Sequence, residues 1–343
     1  MSKVLVTGGC GYIGSHTLVD LIENGFEVVC VDSNINSDAS ALEGVRAITG
    51  KKVKNYHVDL CDIKHTRRIF QENKDITGII HFAALKSVGE SVEKPLLYFQ
   101  NNLNSLLNIL ACIEEFSIEN FIFSSSCSVY GNAKDLPVTE HTPRLEAESP
   151  YARTKQMGED MIKDFALVHP FSRSIALRYF NPAGAHESAI IGESPTNVAN
   201  NLVPVITETA IGKRSEVVVF GDDYPTRDGS CIRDYIHVMD IANAHTKALE
   251  YIIAHKNKEN YEVFNLGTGE GVSVLEAVNA FEKTTRKKFN HRIGPRRPGD
   301  VIAIYANNDK AKSELGWTPN RSIEDIMQTA WAWEKKRSAE VPV

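Results

Sequence analysis

"KVLVTGGCGYIGSH", residues 3–16, runs a short β-branched segment into a glycine-rich turn and then into a stretch with helical spacing. Gly9, Gly11 and Gly14 satisfy G-x-G-x-x-G, and Gly8 adds a second register, G-x-x-G-x-x-G. Alone the pattern is weak, since glycine turns also occur without ligands. Its context gives it weight: an apolar run precedes it, a helical pattern follows, and Asp32 ends a second apolar run 18 residues after Gly14. Glycines at such a turn let backbone amides approach a pyrophosphate at the positive end of a helix. Asp32 is placed to accept hydrogen bonds from ribose hydroxyls. A carboxylate there repels a 2′-phosphate, and Ser33 and Asn34 supply no cation, so the expected cofactor is NAD rather than NADP.

Further along, "FEVVCVD" (26–32), "KNYHVD" (54–59), "GIIHFAA" (78–84), "NFIFSSS" (120–126) and "RSIALRYF" (173–180) alternate with amphipathic segments. Continuous apolar strands at this rhythm predict a Rossmann-type, doubly wound parallel α/β sheet covered on both faces. After Asn181 the rhythm breaks at Pro182, Gly184, Gly192, Pro195 and Pro204, and the rest is loop-rich, with helices near 240–255, 273–284 and 322–336. The expected division is an NAD-binding domain over 1–181, rejoined by a helix within 236–255, and a smaller mixed α/β substrate-binding domain over 182–343.

With a net charge of -6 over 343 residues, neither nucleic acid nor an anionic membrane is expected as the main partner. No apolar run approaches the roughly 18 residues of a membrane span, and "MSKVLVTGG" has no signal-peptide pattern, so a cytoplasmic location is expected. The six cysteines form no Cys-x-x-Cys pair and the eleven histidines show no ligand spacing; they read as packed side chains, and no metal is expected.

The chemistry is carried by "SPYARTK", 149–155. Ser149 suits a helix cap and Pro150 the first helical position, so a four-residue step sets Tyr151 and Lys155 on one face. Tyr130 and Lys134 share the spacing, but Gly131 and Asn132 put Tyr130 in a turn with no helix to align its lysine. "FIFSSSCSVYG", 121–131, ends the fifth apolar run, at the edge where open α/β sheets bind ligands. A hydroxyl, a phenol and an ammonium around a nicotinamide make a recognisable device. The phenol takes a proton from a substrate alcohol while the carbinol hydride moves to the ring. A free tyrosine, with a pKa of about 10, stays protonated near neutrality. Lys155 and the ring's positive charge are therefore expected to favour the phenolate. Ser125 reads as an ordinary strand-end hydroxyl.

With "HFAALKSVGESVEKPL", "LRYFNPAGAH", "NNLVPVI", "FGDDYPTRDG", "RDYIHVMDIA", "NLGTGEG" and "RRPGDV" added to these motifs, the chain resembles the extended branch of the short-chain dehydrogenase/reductase family over nearly its whole length. Within that branch it is most similar to the nucleotide-sugar 4-epimerases. The resemblance implies reversible inversion at C4 of UDP-glucose and UDP-galactose through a 4-keto sugar, with tightly bound NAD. It makes Tyr151 the acid–base group, Ser126 the partner of the 4-oxygen, and Lys155 the residue that tunes Tyr151 and holds the nicotinamide ribose. It assigns the cofactor to Gly8, Gly11, Tyr12, Ile13, Gly14, Asp32, Asn34, Asn36, Ser37, Asp59, Leu60, Phe82, Ala83, Lys86, Asn101, Ser124, Tyr151, Lys155 and Tyr179. The UDP-sugar falls to Lys86, Ser126, Tyr151, Asn181, Asn201, Leu202, Phe220, Arg233, Arg297 and Asp300. Two arginines also suit a diphosphate on physical grounds, through their forked donors.

In such relatives the position of Ile304 gates the sugar pocket, a large aromatic going with plain hexoses and a small residue with N-acetylated ones. Isoleucine is intermediate, and a preference for UDP-glucose and UDP-galactose is expected. The related 4,6-dehydratases carry an Asp-Glu pair directly after the hydroxyl residue; here Cys127 and Ser128 stand there, which disfavours elimination. A homodimer through helices of the first domain is implied as well. The competing readings are a 4-epimerase of another UDP-sugar, N-acetylated or a hexuronate, and a non-catalytic nucleotide-sugar sensor. Such sensors tend to lose the tyrosine–lysine pair kept here.

Overall fold

Val4 and Val6 face one way from the first strand and Leu5 the other, and all three are completely buried. That strand, β1 (Lys3–Thr7), sits inside a seven-stranded parallel sheet with β2 (Glu27–Val31), β3 (Lys54–Tyr56), β4 (Ile76–His81), β5 (Asn120–Ser126), β6 (Arg173–Tyr179) and β7 (Tyr261–Leu266). The computed structural model describes residues 2–195, 198–297 and 300–339. Strand order is β3-β2-β1-β4-β5-β6-β7, every neighbouring pair parallel. The order reverses between β1 and β4, which opens a crevice at the carboxyl ends of those two strands.

Both faces are covered, as the continuous apolar strands require. On one face Val4, Val6, Ile80, Ile122 and Ile175 pack with Leu18 and Val19 of α1 (Tyr12–Glu23) and with Ile241 and Leu249 of the helix Val238–Ile253. On the other, Leu5, Val31, Ile79 and Phe121 pack with Leu106 and Ile109 of α2 (Pro95–Phe116) and Ile162 of α3 (Pro150–Val168). The helix Val238–Ile253 packs on this sheet from far along the chain.

The sheet also takes back β7, whose residues Tyr261–Leu266 run in register with Ser174–Tyr179. This strand was not anticipated. "YEVFNL" alternates like a half-buried strand, but it lacks the continuous apolar run of its neighbours and leads straight into the loop motif "NLGTGEG". The rest of the C-terminal part is built from short pairings. Asn181–Ala183 lies beside Tyr235–His237, Val217–Phe220 beside His291–Gly294, and Ile232–Arg233 between Val272–Ser273 and Ala303–Ile304. Three helices, Leu202–Ala210, Val274–Thr285 and Ile323–Ala339, enclose a separate core of Val203, Ile206, Phe281, Ile326 and Met327. Among the described residues no helix is long and apolar enough to cross a membrane.

Candidate active site

The glycine loop turns between β1 and α1 with no room to spare. Gly8 has φ +69, and a Cβ there would lie 2.9 Å from the Ala83 nitrogen. A Cβ on Gly14 would lie 2.3 Å from the Gly8 carbonyl oxygen. The loop is closed by the Gly8 amide donating to Val31 O (2.8 Å) and the Gly11 amide to Gly8 O (3.1 Å). Helix α1 begins after Gly11 with no side-chain cap, whereas Ser149 caps α3 by accepting from the Ala152 amide at 3.2 Å. Uncapped first-turn amides beside a cradle that any Cβ would fill are what a pyrophosphate needs, so these residues fit a dinucleotide.

Asp32 is buried at the end of β2, its carboxylate accepting from the Cys10 amide (3.0 Å), the Asn34 amide (2.9 Å) and the Ser37 hydroxyl (2.7 Å). Asn34 takes a left-handed turn, φ 55, and Asn36 is exposed in the same loop. The Phe82 and Ala83 amides both donate to Thr7 at 3.1 Å, to its carbonyl and its hydroxyl, which fixes the end of β4 against β1. Tyr12 gives its hydroxyl to Gly184 O (2.6 Å), so its backbone is what it offers the cradle; Ile13 packs on the core. Leu60 is buried, Asp59 is exposed and accepts from the Cys61 amide, and Asn101 donates to Asn102 Oδ1.

At the other end of the crevice, α3 carries Tyr151 and Lys155 on one face, capped by Ser149 with Pro150 at its start. Lys155 is buried, and its ammonium donates to Ser124 O at 2.5 Å. It stands 4.9 Å from the Phe123 ring centroid and 5.9 Å from that of Tyr151. Burial lowers its pKa to about 8, against the pull of the Glu159 carboxylate. The Tyr151 phenol is raised to about 12 by burial, with hydrogen bonding to Ser126 acting the other way. Ser126 ends β5 and accepts from the Ser128 amide at 3.2 Å, which starts the 3₁₀ turn Cys127–Tyr130.

Within the protein the charge of Lys155 does not offset the burial of the phenol. The Lys155 ammonium is bonded to a backbone carbonyl, and burial of Tyr151 outweighs the pull of Ser126. Ser124 and Tyr179 share a short hydroxyl–hydroxyl hydrogen bond, both side chains buried. Tyr130 belongs to the core: it is fully buried, donates to Asn265 Oδ1 (2.7 Å) and accepts from Arg178 (2.9 Å).

In the C-terminal part, Arg297 grips Asp300 with two nitrogens at 2.7 and 3.2 Å, and Arg233 approaches the same carboxylate at 3.5 Å. The Arg297 guanidinium lies 5.4 Å from the centroid of the exposed Phe220 ring. Four residues named from sequence therefore converge, and the single Asp300 carboxylate is shared by both arginines, which leaves one positive charge uncompensated within the group. Ile304 pairs in register with Arg233 and is buried with Val129, Tyr130 and Phe180. Asn181 is joined through its amide to Asp234 O, and Leu202 opens the helix that follows Asn201.

Glu193, which no motif singled out, accepts from Asn201 at 2.8 Å and lies 3.7 Å from the Lys86 ammonium. Ser125 is likewise more than an ordinary hydroxyl, because it donates to buried Glu159 at 2.5 Å. The one signal for this in the sequence is that Glu159 falls four residues beyond Lys155. Among the described residues no cluster of three or more His, Cys, Asp or Glu side chains is arranged to hold a metal ion.

Comparison with known proteins agrees with this fold. The family model for GDP-mannose 4,6 dehydratase matches residues 5–330. A UDP-glucose 4-epimerase of Bacillus subtilis is 46% identical over 331 residues, 96% of each chain. The crystal structure of UDP-glucose 4-epimerase from Bifidobacterium longum, in complex with NAD+ and UDP, superposes with a TM-score of 0.93 at 45% identity, covering 98% of this chain and 99% of that one. A UDP-glucose 4-epimerase from Stenotrophomonas maltophila, with bound NAD and formylated UDP-arabinopyranose, gives 0.96 at 43% identity over 99% and 100%.

Proposed function

The chain belongs to the GDP-mannose 4,6 dehydratase family and groups within it with UDP-glucose 4-epimerases, and from that premise we propose that it interconverts UDP-glucose and UDP-galactose by reversible, NAD-dependent inversion at C4. The observation that carries this reading is the buried Tyr151 phenol set beside Ser126 at the end of β5, one turn before Lys155 on α3, in a fold whose glycine cradle fits a dinucleotide. NAD, held by the cradle and by Asp32, supplies a reversible hydride acceptor and, when oxidised, a positive charge.

Tyr151 takes the proton of the sugar 4-hydroxyl, and Ser126 hydrogen-bonds the same oxygen. Lys155, still largely charged at neutral pH, favours the phenolate from beneath the ring. Arg233 and Arg297 hold the diphosphate, exchanging their contact with Asp300 for the ligand and freeing that carboxylate for ribose hydroxyls. With the diphosphate fixed, the 4-keto sugar turns about the bonds to its phosphate and presents its other face. Elimination, the reaction named by the family model, needs carboxylates after Ser126. Cys127 and Ser128 stand there, and burial holds the Cys127 thiol up at about 12. A non-catalytic sensor has no use for this triad.

Purified protein given UDP-galactose, with no NAD added, is expected to form UDP-glucose and to release NAD on denaturation. Protein that carries NAD yet forms no product would overturn the assignment. For the N-acetylated pair, Ile304 leads us to expect kcat/KM at least about 10-fold lower, in keeping with what one pocket contact discriminates. Equal values for both pairs would remove Ile304 as the gate.

The same reading divides the molecule into an NAD lobe, 1–181 with 236–255 and extended by β7, and a UDP-sugar lobe from the rest of 182–343, with the site between them. It places the enzyme in the cytoplasm, supported by six free cysteines. It also makes the protein a homodimer. Helices α2 and α3 leave apolar side chains in water, among them Leu96 (74% exposed), Leu107 (50%) and Leu167 (74%), and a second copy of the same pair would cover them. Sedimentation is expected to give a dimer, and Leu107→Asp to shift it toward monomer; a monomeric parent protein contradicts this surface.

A further inference from the structure

Glu159 belongs to none of the motifs above, yet it is 2% exposed, one turn beyond Lys155 on α3. A carboxylate so buried requires charge and hydrogen bonds around it. Arg178 supplies two, Nε to Oε1 at 2.8 Å and a terminal nitrogen to Oε2 at 2.6 Å. Ser125 adds a third at 2.5 Å, and Arg144 approaches at 3.5 Å. Arg178 continues to the Tyr130 hydroxyl (2.9 Å), which donates to Asn265 on β7 (2.7 Å). One carboxylate thus ties α3 to β5, β6 and β7, and to the turn that follows Ser126.

Two consecutive residues of β5 are clamped to α3 in this way, Ser124 through its carbonyl to Lys155 and Ser125 through its hydroxyl to Glu159. The next residue is Ser126. Because side chains alternate along a strand, holding Ser125 on the α3 side sends Ser124 and Ser126 to the other face. We propose that Glu159 is the positioning residue of the reacting centre, setting Ser126 and Lys155 against Tyr151 and facing the Lys155 ammonium with a fixed negative charge.

The groups around that ammonium are Tyr151 and Glu159 on its own helix, Phe123 and the Ser124 carbonyl on β5, and His81 on β4. Tyr179 on β6 is joined to Ser124. His81 is held neutral, its pKa lowered to about 3 by burial and by Lys155. Glu159 is the anion of this set. Burial already depresses Lys155 to about 8. Removing the Glu159 charge depresses it further, so the ammonium is lost at lower pH and activity falls off earlier as pH rises.

This inference rests on the epimerase reading, so UDP-galactose turnover by the parent holoenzyme is measured first; an inactive parent defeats that reading, not the role of Glu159. Ser125→Ala is expected to lower kcat about 10-fold with KM and NAD content unchanged, the effect of a small misplacement. Glu159→Gln is expected to lower kcat further and to move the alkaline limb of its pH profile down by about one unit, as loss of a nearby opposite charge does. Glu159→Gln leaves Arg178 buried and unpaired; if it does not fold, Glu159→Gln/Arg178→Met removes both charges, and because the cation goes with the anion its alkaline limb is expected to move down by less than one unit. An unmoved alkaline limb, or unchanged kcat in Ser125→Ala, overturns the proposal.

Discussion

Replacing Tyr151 with phenylalanine is expected to lower kcat by roughly 10²–10⁴-fold, the usual worth of a positioned acid–base group, while NAD content and UDP-sugar affinity stay near the parent's. The substitution deletes one oxygen and keeps the ring that packs above Lys155. Its phenol is raised to about 12 by burial, so the folded protein holds it as the neutral, protonated group and gains little stability from its ionisation. What is lost is the group beside Ser126 that takes and returns the proton of a sugar hydroxyl in the proposed reaction. Steady-state kcat and KM for UDP-galactose, with NAD counted after denaturation, decide the matter. A variant that loses affinity but keeps kcat would show that proton transfer belongs to another residue.

Gly14→Ala is expected to abolish stable NAD retention. The added carbon would sit 2.3 Å from Gly8 O and 2.8 Å from Gly9 Cα. Both are backbone atoms of the cradle, so no rotamer change relieves the contact and the loop itself must move. Overpacking of this kind costs about 1–3 kcal/mol, which corresponds to roughly 5- to 150-fold in NAD affinity if the strain is released only by opening the site. The purified variant should leave gel filtration largely free of dinucleotide and regain turnover only with NAD added. Gly89→Ala, where a Cβ meets nothing within 4 Å, serves as the control. A Gly14→Ala protein with full NAD content would mean that the loop is not the pyrophosphate site.

The parts of this molecule legible in its sequence are those whose physics is local. Parallel strands buried on both faces must be apolar throughout, so β1, β2, β4, β5 and β6 announce themselves. The glycine turn, Asp32 and the capped Tyr151 helix each follow from a few consecutive residues. Arg233, Arg297, Asp300 and Phe220 converge from separate loops, and the family likeness, not their spacing, identifies them. That burial raises the Tyr151 phenol was not legible in its motif, because burial is a property of the assembled fold. Glu193 and the pair of Ser125 with Glu159 escaped for a related reason: neither glutamate lies in a motif, and Lys86 and Ser125 are brought to them by the fold. The strand β7 was hidden by its polar alternation and by the loop motif it runs into.

That strand has a further consequence for how the molecule comes into being. The outer edge of β6 is paired by residues made long after it, and one face of β5 and β6 is covered by the helix Val238–Ile253. While the ribosome is still completing the chain beyond β6, the sheet already made exposes an unpaired edge and an uncovered apolar face, the features that invite aggregation and slow folding. A fragment stopped at residue 181 holds every element of the glycine cradle and would still not be a folded unit, and any interruption of synthesis before Leu266 leaves material for chaperones and proteases.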